Sequence, residues 1–172
     1  MLTQEYLRKI FDYDSETGIL TWKYRTDIDY KGWNARFAYK EAGAIVSPGG
    51  KPRRQTYVNY KGYLNSRLIW LWCHGEPIPK QIDHKDTNTL NDRIDNLRAA
   101  THTTNKWNTG IRKNNTSGIK GVSWQSQRSK WQARIDVDGK TIHLGLFETI
   151  EEATTTRRNA AEKYHGEYVR HE

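Results

Sequence analysis

A polar motif near the middle of the chain most constrains its fold: Asp83 and His84 stand side by side, and Asn96 and Asn105 follow them. An isoleucine precedes the pair and an Asn-rich stretch follows it, which predicts a short strand that ends in a loop. The four residues after Asn96 are expected to form a second strand, and Thr101 is a suitable N-cap for a helix through Asn105. The motif therefore predicts a strand–loop–strand–helix unit whose acid, imidazole and two amides can face one cleft.

The motif resembles the ββα-metal motif of HNH endonucleases, in the variant whose last position is Asn instead of His. The pattern Ile-Asp-His-x-Asp, followed by Asn-Leu-Arg and by an Asn in the next helix, is similar to phage and intron-encoded homing endonucleases. The resemblance is tight over residues 81–108 and looser from Tyr57 onward. It departs from the family at Asp92, where a second Asn is common. This resemblance implies a nuclease domain that cleaves DNA.

The resemblance also implies a role for each residue of the motif. A histidine titrates near pH 6.5, so His84 can take a proton from water as general base. Asp83 and Asn105 offer hard oxygen ligands for one divalent ion, Mg²⁺ first and Mn²⁺ as the alternative. Adjacent strand residues point to opposite faces, so the strand end must splay Asp83 and His84 toward one phosphate. The family implies that Asn96 bridges the loop and orients His84, and Arg98 is a candidate DNA contact.

Other polar residues around the motif have a structural interpretation that competes with a functional one. His74 is expected to lie at the C-terminal end of a helix, where the helix dipole favours a cation. His102 is a minor candidate for a second metal ligand, because it lies on the same helical face as Asn105. The loop residues that are expected only to cap turns through hydrogen bonds to the backbone are Asp86, Asn88, Asn91 and Asp92.

Composition favours a nucleic-acid partner. The chain has 172 residues and a formal net charge of +8, which favours a polyanionic partner. Hydrophobic residues make up 35% of the chain, so the core must be modest or divided, with seven Trp and ten Tyr supplying much of the burial. The single cysteine, Cys73, excludes an internal disulfide and a cysteine-based zinc site. Without a membrane-length apolar run or a signal peptide, we expect a protein of the cytoplasm that is not secreted. We also expect a monomer, since no obligate protein partner is implied.

Apolar spacing and turn residues predict the elements of the first domain, residues 1–110. The basic loop at 47–54 is rich in Pro and Gly, and it either lies along a phosphate backbone or is merely solvated. Residues 29–40 have no clear period. The predicted elements are a helix at 3–11, strands at 19–22 and 44–46, a hairpin at 57–65 with its turn at 61–62, and a helix at 67–74.

After a basic, polar linker at 111–116, the pattern changes to three short β runs and a helix. The runs alternate apolar and polar residues, and Asp138-Gly139 is a strong hairpin signal. Thr149 can cap a helix that ends near His165 and whose alanines allow close packing on a sheet. The domain at 117–172 is therefore predicted to be a three-stranded antiparallel sheet packed on one helix. The three runs span 118–124, 130–137 and 141–147.

This segment carries Gly118-x-x-Gly121-Val122-x-Trp124, Leu144-Gly145-x-Phe147 and Ala160-Ala161. With these residues it resembles the APETALA/ethylene-responsive-factor DNA-binding domain, whose sheet lies in the major groove and reads bases with its polar face. Asp136 stands where that family commonly has Arg, so base preference does not transfer. An ordinary α+β domain with a solvated face is the competing interpretation. The resemblance implies a set of side chains that face DNA, namely Ser123, Gln125, Gln132, Arg134 and Asp136. Further candidates nearby are Lys120, Arg128, Lys130 and His143.

The sequence thus predicts an α+β protein with an HNH ββα-metal nuclease domain followed by a sheet domain that holds the duplex. The predicted function is metal-dependent, site-preferring cleavage of double-stranded DNA that leaves 5′-phosphate and 3′-hydroxyl ends. Two alternatives stay open. One is a DNA-binding regulator with a decayed nuclease motif, and the other is action on RNA, because a basic sheet with aromatic residues can stack bases. No obligate protein partner is implied.

Overall fold

A computed structural model of the protein describes residues 2–28, 31–108, 110–111 and 114–169, without the side chains at 48, 106 and 167. The chain forms two compact units, Met1–Ala100 and Thr101–Glu172. The division falls before the predicted domain boundary at residue 110, because the helix after the motif packs with the C-terminal part of the chain. Residues 29–30 and the predicted linker residues 112–113 lie outside the described part.

The first unit alternates helices with short strands. Its helices are α1 (Gln4–Ile10), α2 (Trp33–Phe37) and α3 (Asn65–His74). Its strands are β1 (Phe11–Asp14), β2 (Ile19–Trp22), β3 (Ala44–Val46), β4 (Arg53–Val58), β5 (Lys61–Leu64), β6 (Gln81–His84) and β7 (Leu97–Ala100). They pair as the antiparallel sheets β1–β2, β3–β4–β5 and β6–β7. Helix α2 is not predicted from the sequence, because five residues are too few for a helical period to appear.

The start of the first unit differs from the prediction by one element. Thr3 caps α1 as expected, by accepting a hydrogen bond from the Tyr6 amide at 3.2 Å. The helix ends at Ile10 instead of Phe11, and the chain passes directly into β1. The cause is tertiary, because Phe11 pairs with Trp22 across the β1–β2 ladder and the two rings lie 4.3 Å apart. A run of apolar residues fits a helix and a strand equally well.

The predicted β-hairpin exists, but its turn lies two residues earlier than predicted. Asn59 and Tyr60 form the turn with φ values of +49° and +62°, and residues 61 and 62 belong to β5. A two-residue hairpin turn of this kind needs positive φ at both positions, which Asn tolerates better than most residues. The prediction of a turn at 61–62 is therefore wrong.

In the described part of the first unit, one apolar core supports the motif. Helices α1 and α3 pack together, and the core continues to Leu97 at the start of β7. Each fully buried Leu, Ile or Phe side chain stabilises the fold by about 1.5–3 kcal/mol. Leu97 therefore anchors the β6–β7 sheet to the body of the unit. The largest fully buried side chains of this core are Leu7, Ile10, Phe11, Leu20, Leu68, Ile69 and Leu71.

The second unit contains the predicted three-stranded antiparallel sheet, in the order β10 (Lys140–Phe147), β9 (Lys130–Val137) and β8 (Val122–Gln125), packed on a helix. Thr149 caps that helix in a capping box with Glu152. Small residues of the helix lie on the apolar face of the sheet, as predicted. None of the described helices is long and apolar enough to cross a membrane. The elements are α4 (His102–Trp107), β8 (Val122–Gln125), β9 (Lys130–Val137), β10 (Lys140–Phe147) and α5 (Ile150–His165).

Candidate functional site

The first two residues of the motif lie at the end of β6. Asp83 stands opposite Arg98 in the β6–β7 ladder, and His84 stands opposite Leu97. Both side chains of the pair are buried, with exposed fractions of 6% for Asp83 and 7% for His84. Because adjacent strand residues point to opposite sides, the two side chains have different partners in the structure.

Asp83 is paired with an arginine. Arg98 donates from Nε at 2.9 Å and from Nη2 at 2.7 Å to the Oδ2 atom of Asp83. Both residues are buried, so the guanidinium balances a carboxylate charge that is largely removed from water. The sequence predicts Arg98 as a DNA contact, and the structure places its guanidinium against Asp83.

His84 contacts a second carboxylate. Its Nε2 atom lies 2.9 Å from Oδ1 of Asp92, a residue with an exposed fraction of 3%. The expectation that Asp92 only caps a turn is wrong, because its side chain points to the buried imidazole. One feature of the sequence indicates this contact, because Asp92 is an acid at a position where the resembled family commonly has Asn.

Asn96 closes the loop between β6 and β7. Its Nδ2 group donates to Oδ1 of Asp86 at 2.9 Å and to the carbonyl of Asn91 at 2.8 Å, while its Oδ1 accepts from the Asp86 amide at 3.0 Å. The Asn96 carbonyl accepts from the amide of Lys85, the residue after His84, at 2.9 Å. Asn96 thus bridges the backbone of the loop, and its influence on His84 as a catalytic partner stays a prediction.

Asp86 and Asn88 cap turns, as predicted, whereas the side chain of Asn91 donates to a carboxylate and, among the described residues, caps no backbone amide. Asp86 accepts from the Asn88 amide at 2.9 Å and from Nδ2 of Asn91 at 2.7 Å, and Asn88 accepts from the Leu90 amide at 3.1 Å. Burial alone would raise the pKa of Asp86. Hydrogen bonds from the side chains of Asn91 and Asn96 outweigh it and hold the pKa below its ordinary value. The loop is therefore built around an ionised Asp86.

The β1–β2 hairpin holds the backbone around Asp92. The Tyr13 hydroxyl donates to the Asp92 carbonyl at 3.4 Å and accepts from the Ile94 amide at 2.8 Å. Burial raises the pKa of Tyr13 to about 12. Gly18 has a φ of +74°, and a Cβ atom there would lie 2.5 Å from the backbone nitrogen of Arg93. The motif loop can approach the hairpin this closely only because residue 18 has no side chain.

The basic loop at 47–54 lies beside the motif loop. The hydroxyl of Thr89 donates to the carbonyl of Pro52 at 2.5 Å. Lys51 is exposed, whereas Arg54 forms an ion pair with Glu41. The structure thus puts an exposed cation next to the loop that carries Asp92.

The fourth residue of the motif, Asn105, belongs to the second unit. It lies in α4, where its amide donates to the Thr101 carbonyl at 3.0 Å. Thr101 and Thr104 cap each other's amides, with distances of 3.1 and 2.9 Å. The predicted helix is confirmed, and the role of Asn105 as a metal ligand stays a prediction. His102 is exposed on the same helix.

One face of the sheet in the second unit is polar. Gln125 donates to Oε1 of Gln132 at 2.9 Å, and Nε2 of Gln132 lies 3.1 Å from Nδ1 of His143. Asp136 accepts from the Thr141 hydroxyl at 2.6 Å. The strand register brings most of the predicted DNA contacts onto this face, namely Ser123, Gln125, Lys130, Gln132, Arg134, Asp136 and His143.

Two other predicted DNA contacts lie off the strands that form this face. The ammonium group of Lys120 donates to the Trp107 carbonyl at 2.7 Å, so it is engaged in the packing of α4. Arg128 is exposed in the turn between β8 and β9. Lys130, on the face itself, forms an ion pair with Glu148 at 2.8 Å. A role in DNA binding stays a prediction for each of these residues.

Two comparisons with known proteins bear on the motif. A family model described as HNH endonuclease matches residues 63–106, which include Asp83, His84, Asn96 and Asn105. Protein 3.8 of Escherichia phage T7 is 39% identical over 116 residues, which make up 64% of this chain and 92% of that protein. The protein belongs to the family of phage T7 Protein 3.8 and carries an HNH endonuclease domain. No solved structure matches it.

The HNH domain indicates a DNA endonuclease in general terms, and the name of the phage relative specifies no activity. The mixed α+β class is confirmed by the structure. The resemblance of residues 117–172 to the APETALA/ethylene-responsive-factor domain has no counterpart in the family match, and it stays a prediction.

HNH nucleases generally use a divalent metal ion, and the donor chemistry of the motif fits such an ion. Among the described residues, no group of three or more His, Cys, Asp or Glu side chains could hold a metal. Asp83 and Asn105 nevertheless offer a carboxylate and an amide oxygen, the hard ligands that Mg²⁺ prefers. Mg²⁺ commonly keeps several waters and binds through one or two carboxylates together with substrate phosphates. A role in holding such an ion stays a prediction for both residues.

Proposed function

We propose that the protein is a metal-dependent, site-preferring endonuclease that hydrolyses phosphodiester bonds of double-stranded DNA, with His84 as general base. One observation supports this proposal most directly. Within the segment that matches the HNH endonuclease model, His84 ends β6 with its ring hydrogen-bonded, and Asn96 closes the loop that follows. The ring is thus held in place by the fold before any DNA binds.

The proposed reaction is attack of water on the phosphorus atom. A ring nitrogen of His84 accepts a proton from the water as its oxygen forms a bond to phosphorus. The bond from phosphorus to the 3′-oxygen breaks, its electron pair stays on that oxygen, and a solvent proton completes the 3′-hydroxyl. The products carry a 5′-phosphate and a 3′-hydroxyl. Asn96 holds the loop so that the ring and the phosphate meet in one geometry.

Asp83 and Asn105 are the residues proposed to hold a divalent ion, with Mg²⁺ preferred and Mn²⁺ as the alternative. The chemistry that such an ion supplies when bound is stabilisation of negative charge on the phosphate and the leaving oxygen. When neither DNA nor an ion is bound, Arg98 orients the carboxylate of Asp83 and balances its charge.

Duplex binding is proposed to rest on the polar face of the β8–β9–β10 sheet. Its amides and imidazole form a hydrogen-bonded row from Gln125 to His143, and Arg134 is exposed beside them. Arg and Gln side chains recognise guanine and adenine in the major groove. A tethered binding unit also raises the local concentration of DNA at a weakly binding nuclease unit. Lys51, next to the motif loop, is a further candidate for a phosphate contact.

A DNA-binding protein that does not cleave is the second candidate. The observation that favours it is the buried pair of Asp83 and Arg98, because a carboxylate engaged by a guanidinium competes less well for a metal ion. In that case the sheet face alone would carry the function. The two candidates differ in one property, which is metal-dependent cleavage.

Cleavage of supercoiled plasmid by wild type and His84→Ala tests the proposal, with Mg²⁺, Mn²⁺ or EDTA. The expected result is metal-dependent nicking or linearisation that the substitution abolishes, with duplex affinity nearly unchanged in a gel shift. His74→Ala is the matched control, because His74 is an exposed histidine of the same unit. Since a narrow target site would hide cleavage of one plasmid, a randomised library of duplexes is digested in parallel. DNA binding without cleavage of any library member would support the second candidate.

A further inference from the structure

We infer that Asp92 is a positioning residue for His84. Its carboxylate accepts the proton on Nε2 of the imidazole, which leaves Nδ1 as the nitrogen that takes the proton from water. This inference rests on the proposed nuclease function and adds a residue to the machinery around His84. It stands on the 2.9 Å contact between Nε2 and Oδ1 and on the burial of both groups.

The chemistry of the two groups selects one tautomer. A neutral imidazole carries one proton, and the hydrogen bond made by one ring nitrogen decides where that proton lies. An ionised carboxylate only accepts hydrogen bonds, so Nε2 must be the donor in this contact and Nδ1 must carry the lone pair. An Asn could donate or accept at the same position, and it would leave the tautomer unselected. This is the physical difference between Asp92 and the Asn that is common there in the resembled family.

Neighbouring residues hold Asp92 in a fixed position. Its carbonyl accepts from the Tyr13 hydroxyl, and the next residue, Arg93, lies against Gly18. The side chain of Asp92 is 4% exposed, whereas that of Asp95, three residues along the same loop, is 66% exposed in its pair with Arg93. A surface carboxylate would orient an imidazole weakly, because water competes for both partners. Asp92 is shielded from that competition.

The tautomer of His84 can be measured directly in the full chain. Long-range ¹H–¹⁵N correlation of histidine-labelled protein at pH 8 distinguishes a proton on Nε2 from one on Nδ1. The His84 signals are assigned by their absence in His84→Ala. We expect the wild type to carry the proton on Nε2. A proton on Nδ1 would overturn the inference, and this measurement needs no variant of Asp92 to fold.

Kinetics of Asp92→Asn give the second readout, with Asp95→Asn as the matched control. Loss of general-base alignment is expected to lower kcat by about 10²-fold or more, since general-base catalysis contributes on the order of 10²–10⁴-fold. KM for the duplex should stay within about threefold, because Asp92 contacts His84 and is not proposed to contact DNA. The same spectra should show that His84 no longer holds a single tautomer. Asp92→Asn that cuts as fast as wild type would contradict the inference.

The two proposals fail in different ways. If His84→Ala still cleaves DNA, the proposed function is wrong and the role of Asp92 falls with it. If His84→Ala is inactive while Asp92→Asn is fully active, the nuclease function stands and only the positioning role is rejected. Asp95→Asn removes a carboxylate from the same loop, so equal losses in both Asp variants would reveal a general effect of charge and also reject it.

Discussion

Arg98 donates two hydrogen bonds to a single carboxylate oxygen of Asp83, and the two residues stand directly opposite each other on β6 and β7. The pair ties together the strand that ends in His84 and the strand that follows Asn96. Both partners are buried, so each charge is stabilised by the other, and removal of either one would leave an unpaired charge away from water. Arg98 thus neutralises the carboxylate of Asp83, the group that we propose as a metal ligand, when no ion is bound.

We expect Arg98→Ala to lower the free energy of unfolding of the first unit by about 3–5 kcal/mol, because it leaves Asp83 as an unpaired buried charge. Arg98→Lys keeps the charge but loses the two-pronged geometry, so a smaller loss is expected. Urea unfolding followed by tryptophan fluorescence measures both. The control is Arg93→Ala, which breaks the exposed pair with Asp95 and should change stability by about 0–1 kcal/mol. Equal effects at the two arginines would contradict the prediction.

Elements whose signal is local could be predicted from the sequence. Thr3 and Thr149 were recognisable as helix caps because a cap depends on a few neighbouring residues. The alternation along β9 predicted a sheet with one polar face, and the strand register agrees. The spacing of Asp83, His84 and Asn96 predicted the two strands and the loop of the motif. Each of these patterns is complete within one continuous stretch of sequence.

The elements that could not be predicted depend on contacts between distant parts of the chain. Phe11 leaves the helical pattern because of Trp22, and this partner is not visible in the local period. The inward direction of Asp92 depends on Tyr13 and Gly18, which lie in a hairpin far away in sequence. An Asp in a polar loop is usually a turn residue, so the local pattern favoured the wrong interpretation.

Arg134→Ala should weaken duplex binding by about 1–3 kcal/mol if the side chain reads a base, and the loss should vary with the sequence of the duplex. Arg134 is exposed on the polar face of the sheet, opposite His143. Fluorescence anisotropy at two salt concentrations over a set of related duplexes gives both the affinity and its salt slope. Arg158→Ala removes an exposed charge from α5, which packs on the other face of the sheet, and it should leave sequence preference unchanged. A uniform loss across duplexes for Arg134→Ala would indicate a phosphate contact instead.

Gly121 and Gly139 have the same φ of +78° and different surroundings. A Cβ atom at Gly121 would overlap the Arg134 carbonyl and lie 2.6 Å from Nε of Arg157, whereas the space around Gly139 is open. We expect Gly139→Ala to cost about 1–2 kcal/mol for its left-handed backbone alone. Gly121→Ala should cost about 1–3 kcal/mol more, because it also forces packed atoms apart. Thermal unfolding of both variants checks this difference, and equal losses would contradict it.

His165 is a buried histidine that the proposed function does not use. Its ring stacks on Trp107 with centroids 4.2 Å apart and an interplanar angle of 12°, and its Nε2 lies 2.9 Å from the Asp136 carbonyl. Burial lowers the pKa of His165 below its ordinary value of 6.5; the bond to Asp136 opposes the shift, while the charges of Arg157 and Lys120 reinforce it. The folded second unit therefore holds this ring in its neutral form.

A histidine whose pKa is lowered by folding binds fewer protons in the folded state than in the unfolded chain. The second unit should therefore keep the full benefit of a neutral His165 above about pH 6.5 and lose stability as the pH falls below the unfolded value. Urea unfolding at a series of pH values, followed by tryptophan fluorescence, measures the slope. His165→Gln should flatten it, because the glutamine does not titrate, whereas His143→Gln, at an exposed position of the same unit, should retain it. A slope that survives in His165→Gln would assign the pH dependence to other groups of the unit.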